Sequence, residues 1–175
     1  MLTPDHFGME KAIELTGALR ETFFYRAKHK RIIKHQVVSQ KRWEKIAGPL
    51  LYAVTDHAGV IRYIGKWVSQ TALYSRWIRH NTIHHQESAR NFYIKELDDG
   101  RGPLAVWSIS IEEIRHQFPE AIRDWPGKQL AEDLEAFLIR HGREQLIWNR
   151  KEESLTSAFP SKAVAVCFGM VDAQF

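Results

Sequence analysis

The sequence predicts an α+β fold in which a small, mainly antiparallel sheet of three strands is flanked by helices. Three observations carry this prediction. Two short apolar runs enclose a polar turn at residues 56–59, which is typical of a β-hairpin. Residues 104–111 alternate between apolar and polar side chains, as a half-buried strand does. Residues 128–141 repeat apolar side chains at helical spacing.

The N-terminal region is predicted to be a basic helical extension, residues 1–47, that precedes a core of residues 48–150. Residues 10–45 contain no proline, and Leu15, Leu19 and Phe23 recur at four-residue intervals, a spacing that favours one helix face. Gly48 and Pro49 interrupt this pattern. The extension therefore ends where the core begins.

Within the core, the pattern predicts strands over residues 50–55, 60–65 and 104–111. Ser69 or Thr71 caps a helix that runs to about residue 80. A turn at residues 124–127 leads into the helix 128–141, which Gly142 ends. Residues 151–175 form a C-terminal segment that packs on the core, with one more strand expected over residues 163–168.

Composition excludes several classes of protein. Hydrophobic residues make up 44% of the 175 and charged residues 26%, which argues against disorder. The one cysteine, Cys167, excludes an intramolecular disulfide framework and a cysteine-rich zinc site. No apolar run approaches the ~20 residues that span a bilayer. We therefore expect a cytoplasmic protein without a membrane partner.

Positive charge is concentrated near the N-terminus. The net charge is only +4, but the stretch from Arg20 to Lys45 is rich in Lys and Arg and includes Lys30, Arg31 and Lys34. Interleaved aromatic residues make this block resemble the footprint of a protein that binds a phosphate backbone. The alternative is a solvated helix face. Composition alone leaves both interpretations open.

Two triplets on the predicted hairpin are followed by four separate polar residues. The first triplet is Leu50-Leu51-Tyr52, and ten intervening residues separate it from the second, Tyr63-Ile64-Gly65. The later residues are Arg76 and His80 on the next predicted helix, Glu135 on the last one, and Asn149. In kind and order these residues resemble the signature of the GIY-YIG nuclease family. The resemblance covers about 100 of the 175 residues. The first triplet lacks the family's opening Gly-Ile.

The resemblance implies a role for each of these residues. The hydroxyls of Tyr52 and Tyr63 would line the site, and Tyr52 would orient or deprotonate the attacking water. A tyrosine has an ordinary pKa of ~10, so it needs a neighbouring cation, and Lys66 is the candidate. A direct contact with a phosphate is the equal alternative for Lys66. Arg76 would bind a phosphate, with His80 one helical turn further on. Asn149 would orient groups near the phosphate.

A single helical carboxylate is expected to hold Mg²⁺, and Mn²⁺ is expected to substitute for it. One carboxylate is enough because Mg²⁺ keeps most of its waters and often binds through one or two carboxylates plus the substrate phosphate. At 100° per residue, Glu135 lies at the border of the apolar stripe, whereas Glu132 points away from it. Glu135 is therefore the predicted metal ligand.

The expected function is metal-dependent hydrolysis of phosphodiester bonds in double-stranded DNA by an endonuclease. A restriction-type enzyme that acts as a homodimer is the leading form, since twofold symmetry suits a palindrome. A phage, mobile-element or structure-specific repair nicking nuclease is the close alternative. A catalytically inactive nucleic-acid-binding module is the alternative of another class.

Overall fold

The computed structural model of the protein describes residues 1–25, 30–37, 46–73, 96, 99–117, 120–149 and 154–170, and for residues 13, 15–25, 30–37 and 121 it describes the backbone. The fold is α+β. A single 3-10 turn, Pro4–Phe7, precedes the strands, which are β1 (Glu10–Tyr25), β2 (Lys30–Val37), β3 (Leu50–Thr55), β4 (Ile61–Trp67) and β5 (Leu104–Ser110). The helices are α1 (Ile111–Gln117), α2 (Glu120–Arg123), α3 (Gly127–His141) and α4 (Ser161–Cys167).

The five strands form one sheet in the order β2-β1-β5-β3-β4, and every neighbouring pair is antiparallel. The three predicted core strands are present and adjacent, so that part of the prediction is confirmed. Tyr52 on β3 lies opposite Gly65 on β4 and Ser108 on β5. β4 is at one edge of the sheet and β2 at the other.

The prediction of a three-stranded sheet with a helical N-terminal extension is wrong, because residues 10–25 and 30–37 are strands of the same sheet. A four-residue repeat such as Leu15, Leu19 and Phe23 fits a strand as well as a helix, because residues an even number apart share a strand face. The β-branched and aromatic residues around them favour the strand.

The sheet is covered on both faces, which explains why β5 is not the half-buried strand predicted from its alternation. One apolar cluster joins α3 to the face of Leu51 and Ile109. A second cluster covers the face of Tyr52, Leu104 and Val106, all completely buried. Even Ser108 is only 8% exposed. The strand ends one residue earlier than predicted, where the Ser110 hydroxyl accepts the Glu113 N–H and begins α1.

The hairpin turn between β3 and β4 is organised by one carboxylate. Oδ1 of Asp56 accepts the backbone N–H groups of Ala58 and Val60, and Oδ2 lies 2.7 Å from Nε of Arg62. Burial raises the pKa of Asp56, but the bonds from Arg62 and the backbone outweigh it and hold that pKa below its usual value. The predicted start of the second strand, residue 60, is one residue too early because Val60 closes this turn.

The C-terminal segment is helical where a strand over residues 163–168 was predicted. Helix α4 spans Ser161–Cys167, and its buried residues Val164, Ala165 and Phe168 follow the spacing of one helix face. A short run of alternating Ala and Val does not distinguish the two structures by itself. The prediction of a helix over residues 128–141, ended by Gly142, is confirmed by α3.

In the portion of the chain that the structure describes, no helix is both long enough and apolar enough to cross a membrane.

Candidate active site

Residues predicted to act in catalysis meet at the edge of the sheet formed by β4. The backbone N–H of Lys66 donates to Oε1 of Glu135 at 3.0 Å, and the Lys66 ammonium lies 2.9 Å from Oε2. One residue of β4 therefore contacts both oxygens of one carboxylate on α3. The pair joins parts of the chain that are 69 residues apart.

The Lys66–Glu135 pair is mostly removed from water. The side chain of Glu135 is 8% exposed and that of Lys66 is 21% exposed. Burying a carboxylate is costly unless an opposite charge and hydrogen bonds compensate for the missing water. Here the same lysine contributes both, through its ammonium and its backbone N–H. Glu135 is thus held in one place by a single residue of β4.

Of the two glutamates considered for the metal, Glu135 is the one that reaches the sheet. Glu132, three residues earlier on α3, is half-buried. The helical wheel placed Glu132 away from the apolar stripe and Glu135 at its border, whereas Glu132 is half-buried and Glu135 is buried. Asp133, between the two, is completely buried but faces other partners.

The side chain of Tyr52, on β3, extends over the neighbouring strand β4 at Gly65. A Cβ atom built on Gly65 would lie 2.5 Å from the Tyr52 hydroxyl oxygen, too close for any real contact. A glycine at position 65 is therefore required for the Tyr52 ring to lie where it does. This contact brings the hydroxyl end of Tyr52 against the residue that precedes Lys66.

The two motif tyrosines lie side by side on one face of the sheet. The ring centroids of Tyr52 and Tyr63 are 5.9 Å apart with an interplanar angle of 35°. Tyr52 is completely buried, whereas Tyr63 is half-buried and packs at the margin of the same apolar cluster. Tyr63 is thus the more accessible of the two.

The side chain of Asn149 forms hydrogen bonds with the backbone of β4 at Ile64. Its Oδ1 accepts the backbone N–H of Ile64 at 2.9 Å, and its Nδ2 donates to the carbonyl of Ile64 at 2.8 Å. Both ends of the carboxamide are therefore engaged with the strand. In this arrangement Asn149 positions β4, and so positions Gly65 and Lys66. Side chains that satisfy an edge also prevent unwanted strand pairing.

Several predicted residues are placed less completely. Arg76 and His80 lie outside the described residues, as does the predicted helix from residue 74 onwards. The backbones of Lys30, Arg31 and Lys34 lie on β2, opposite Tyr25, Phe24 and Leu19 respectively. Their side chains are outside what the structure describes.

One buried polar residue, Asp133, was missed by the sequence reasoning. Its carboxylate accepts Nε1 of Trp125 at 2.9 Å, Nε2 of Gln129 at 3.2 Å and the backbone N–H of Thr156 at 2.8 Å. It thereby fastens the C-terminal segment to α3. The sequence does indicate that Asp133 is buried, because it lies three residues after Leu130 and four before Phe137, within the apolar stripe.

Glu135 is the carboxylate at the β4 edge that would hold a hard divalent cation. Both of its oxygens contact Lys66, so a cation would compete with the ammonium for this carboxylate. Mg²⁺ takes its remaining ligands from water and substrate phosphate. Among the described residues there is no group of three or more His, Cys, Asp or Glu that could hold a metal.

Comparison with known proteins found no matching family model, no matching curated protein and no matching solved structure.

Proposed function

We propose that the protein is a metal-dependent DNA endonuclease with a GIY-YIG-type active site. The observation that carries this proposal is the pair of contacts made by two neighbouring residues of β4, Gly65 with Tyr52 and Lys66 with Glu135. The resemblance selects Tyr52, Gly65 and Glu135, and Lys66 directly follows the second triplet. Their proximity supports the proposal because unrelated motif matches have no reason to converge in space.

Hydrolysis of a phosphodiester requires an attacking water, an acceptor for its proton and stabilisation of the charge on the phosphate. Tyr52 takes the first of these tasks and orients or deprotonates the water. Lys66 places a positive charge beside that proton transfer, and Arg76 binds the phosphate. Glu135 would hold Mg²⁺, which polarises the phosphate oxygens when bound.

The rival interpretation is a nucleic-acid-binding module on a nuclease fold, and two observations favour it. Tyr52 is completely buried, so ordinary core packing explains it. Glu135 is already neutralised by the Lys66 ammonium, as it would be in a protein that needs no metal. The two interpretations differ in what the Tyr52 hydroxyl does.

Replacing Tyr52 with Phe tests the role of that hydroxyl. The variant keeps the ring that packs over Gly65, so we expect the fold to survive with a destabilisation of about 1 kcal/mol, the contribution of one hydrogen bond. Turnover should fall by a factor of about 10² to 10⁴, the usual contribution of general acid–base catalysis. Plasmid cleavage and thermal unfolding measure the two effects. Cleavage near the wild-type rate would return Tyr52 to core packing.

The cleavage products distinguish the possible types of nuclease. We propose a restriction-type enzyme that cuts both strands at discrete sites as a homodimer, because paired cuts at a palindrome suit twofold symmetry. A nicking enzyme of phage, mobile-element or repair type would instead leave single-strand breaks. Mapping the ends on a plasmid of known sequence distinguishes these outcomes.

A further inference from the structure

The two N-terminal strands form a ribbon that continues beyond the pairing with the rest of the sheet. The register of β1 with β5 ends at Leu15↔Leu104, whereas its register with β2 begins at Leu15↔Val37 and reaches Tyr25↔Lys30. We call residues 16–25 and 30–37 the β-ribbon. Its ten residues of β1, at about 3.3 Å each, span about 33 Å.

The positive charge of the protein is concentrated in this segment. The β-ribbon contains four basic side chains and one acidic side chain, a net charge of +3. The whole chain has a net charge of +4, so the remaining residues sum to +1. The basic residues are Arg20, Lys30, Arg31 and Lys34, and the acidic one is Glu21. Such a segment is complementary to a polyanion.

The dimensions of a two-stranded ribbon select one groove of a DNA duplex. Its strands lie about 4.8 Å apart. A major groove about 12 Å wide admits a two-stranded β-ribbon in undeformed duplex, whereas a minor groove about 6 Å wide must first be opened. The ribbon also has two register shifts, one between Leu15 and Ala18 and one between Leu19 and Phe23. Such irregularities increase the right-handed twist, which helps a ribbon to follow a helical groove.

We propose that the β-ribbon docks in the major groove of duplex DNA and is the substrate-reading element of the protein. This inference rests on the proposed endonuclease function, in which DNA is the substrate. In the sheet, β1 and β4 are separated by two strands, a lateral distance of about 14 Å. Along the strands, the ribbon begins next to Leu104, about 17 Å from Ile109, which is level with Lys66. The near end of the ribbon therefore lies within the length of one turn of duplex, about 34 Å, of the Lys66–Glu135 edge.

The choice of groove is tested with the unaltered protein in the presence of a chelator. Under this condition a metal-dependent nuclease binds DNA without cutting it. Three probes are compared by fluorescence anisotropy: a plain duplex, the same duplex with glucosylated hydroxymethylcytosines that fill the major groove, and the plain duplex saturated with netropsin in its minor groove. We expect the affinity for the glucosylated duplex to fall about tenfold or more, the cost of one or two base contacts, and netropsin to leave the affinity unchanged. Equal affinity for plain and glucosylated duplex, competition by netropsin, or no binding to any duplex at low salt would overturn the proposal.

The ribbon itself is tested by removing three of its charges in a Lys30→Ala, Arg31→Ala, Lys34→Ala variant. The matched control removes three exposed charges from α2 and α3, with Arg123→Ala, Lys128→Ala and Arg140→Ala. The slope of log affinity against log salt should become shallower by about 1 for each phosphate that the variant no longer neutralises. We expect the shallower slope in the ribbon variant only, and we expect the same variant to discriminate less strongly against the glucosylated duplex.

Equal changes in both variants, or no change in either, would contradict a specific role for the ribbon. The groove comparison uses the unaltered chain, so it decides the proposal even if the ribbon variant does not fold. Cleavage of plasmid in Mg²⁺ is scored separately. Groove-specific binding without cleavage would overturn the proposed endonuclease function and leave the proposed role of the ribbon. Cleavage without groove-specific binding would overturn the role of the ribbon alone.

Discussion

A Glu135→Gln variant is expected to lose cleavage by about a hundredfold or more, the decrease that follows removal of one interaction made in the transition state. Glutamine is the sharper substitution because its carbonyl oxygen can still accept the Lys66 N–H bonded at 3.0 Å, while the negative charge that would hold Mg²⁺ is removed. An alanine would leave a buried N–H without an acceptor, at a cost of about 1–3 kcal/mol. Its inactivity could then reflect a damaged sheet edge.

DNA binding by the Glu135→Gln variant should be intact or tighter in the absence of metal. Removing the carboxylate removes a repulsion of the phosphates, and the Lys66 ammonium, 2.9 Å from Oε2 in the wild type, becomes available to them. Binding is measured by filter retention in chelator and cleavage with a plasmid in Mg²⁺.

The matched control is Glu132→Gln, which removes the same charge from the same helix and should be nearly silent. If Glu132→Gln is the inactive variant, the ligand assignment is wrong although the mechanism stands. If both variants cut normally, the edge of β4 is not the catalytic centre.

A Gly65→Ala variant is expected to lose both stability and cleavage. The added methyl would lie 2.5 Å from the Tyr52 hydroxyl oxygen, and Tyr52 is completely buried in an apolar cluster, so its ring has little room to move. Overpacking of this kind costs about 1–3 kcal/mol, or several degrees in Tm for a domain of this size. A hydroxyl displaced by about 1 Å can cost 10²-fold in rate.

Two comparisons isolate the contact between Gly65 and Tyr52. Gly127→Ala makes the same substitution at the first residue of α3, where the nearest atom to the new methyl is Cγ of Pro49 at 3.3 Å. It should retain cleavage and stability. On a Tyr52→Ala background, Gly65→Ala should cost much less than it does alone, because the atom that it meets is gone. An equal cost on both backgrounds, measured by thermal unfolding, would show that the glycine serves the strand backbone instead.

The core of the fold could be predicted from sequence because its elements have unambiguous periods. Strands β3, β4 and β5 and helix α3 were all expected within one or two residues of their bounds. The N-terminal strands were mistaken for a helix because spacing by four residues satisfies both periods. Only their pairing, β1 with β5 and with β2, decides between them, and pairing is a tertiary property that one segment's sequence does not contain.

The residues of the proposed site come from the sequence, whereas their geometry does not. The motif identified Glu135, and Lys66 was chosen as a cation next to the second triplet, but that Lys66 contacts both oxygens of Glu135 depends on how α3 packs on β4. Asn149 was expected near a phosphate, and the structure engages both ends of its amide with Ile64. Local pattern shows which residue types are present, whereas the hydrogen bonds between distant segments emerge only after folding.

The central claim is that this chain hydrolyses DNA with a divalent cation at the β4 edge. The most direct test incubates the purified protein with supercoiled plasmid in Mg²⁺, Mn²⁺, Ca²⁺ or chelator and follows nicked and linear forms on a gel. We expect cleavage in Mg²⁺ and Mn²⁺, none in chelator, and binding without turnover in Ca²⁺. Intact plasmid under every condition, while the protein still binds the duplex, would contradict the claim and identify the chain as a binding module. Equal cleavage with and without chelator would contradict the metal-dependent mechanism.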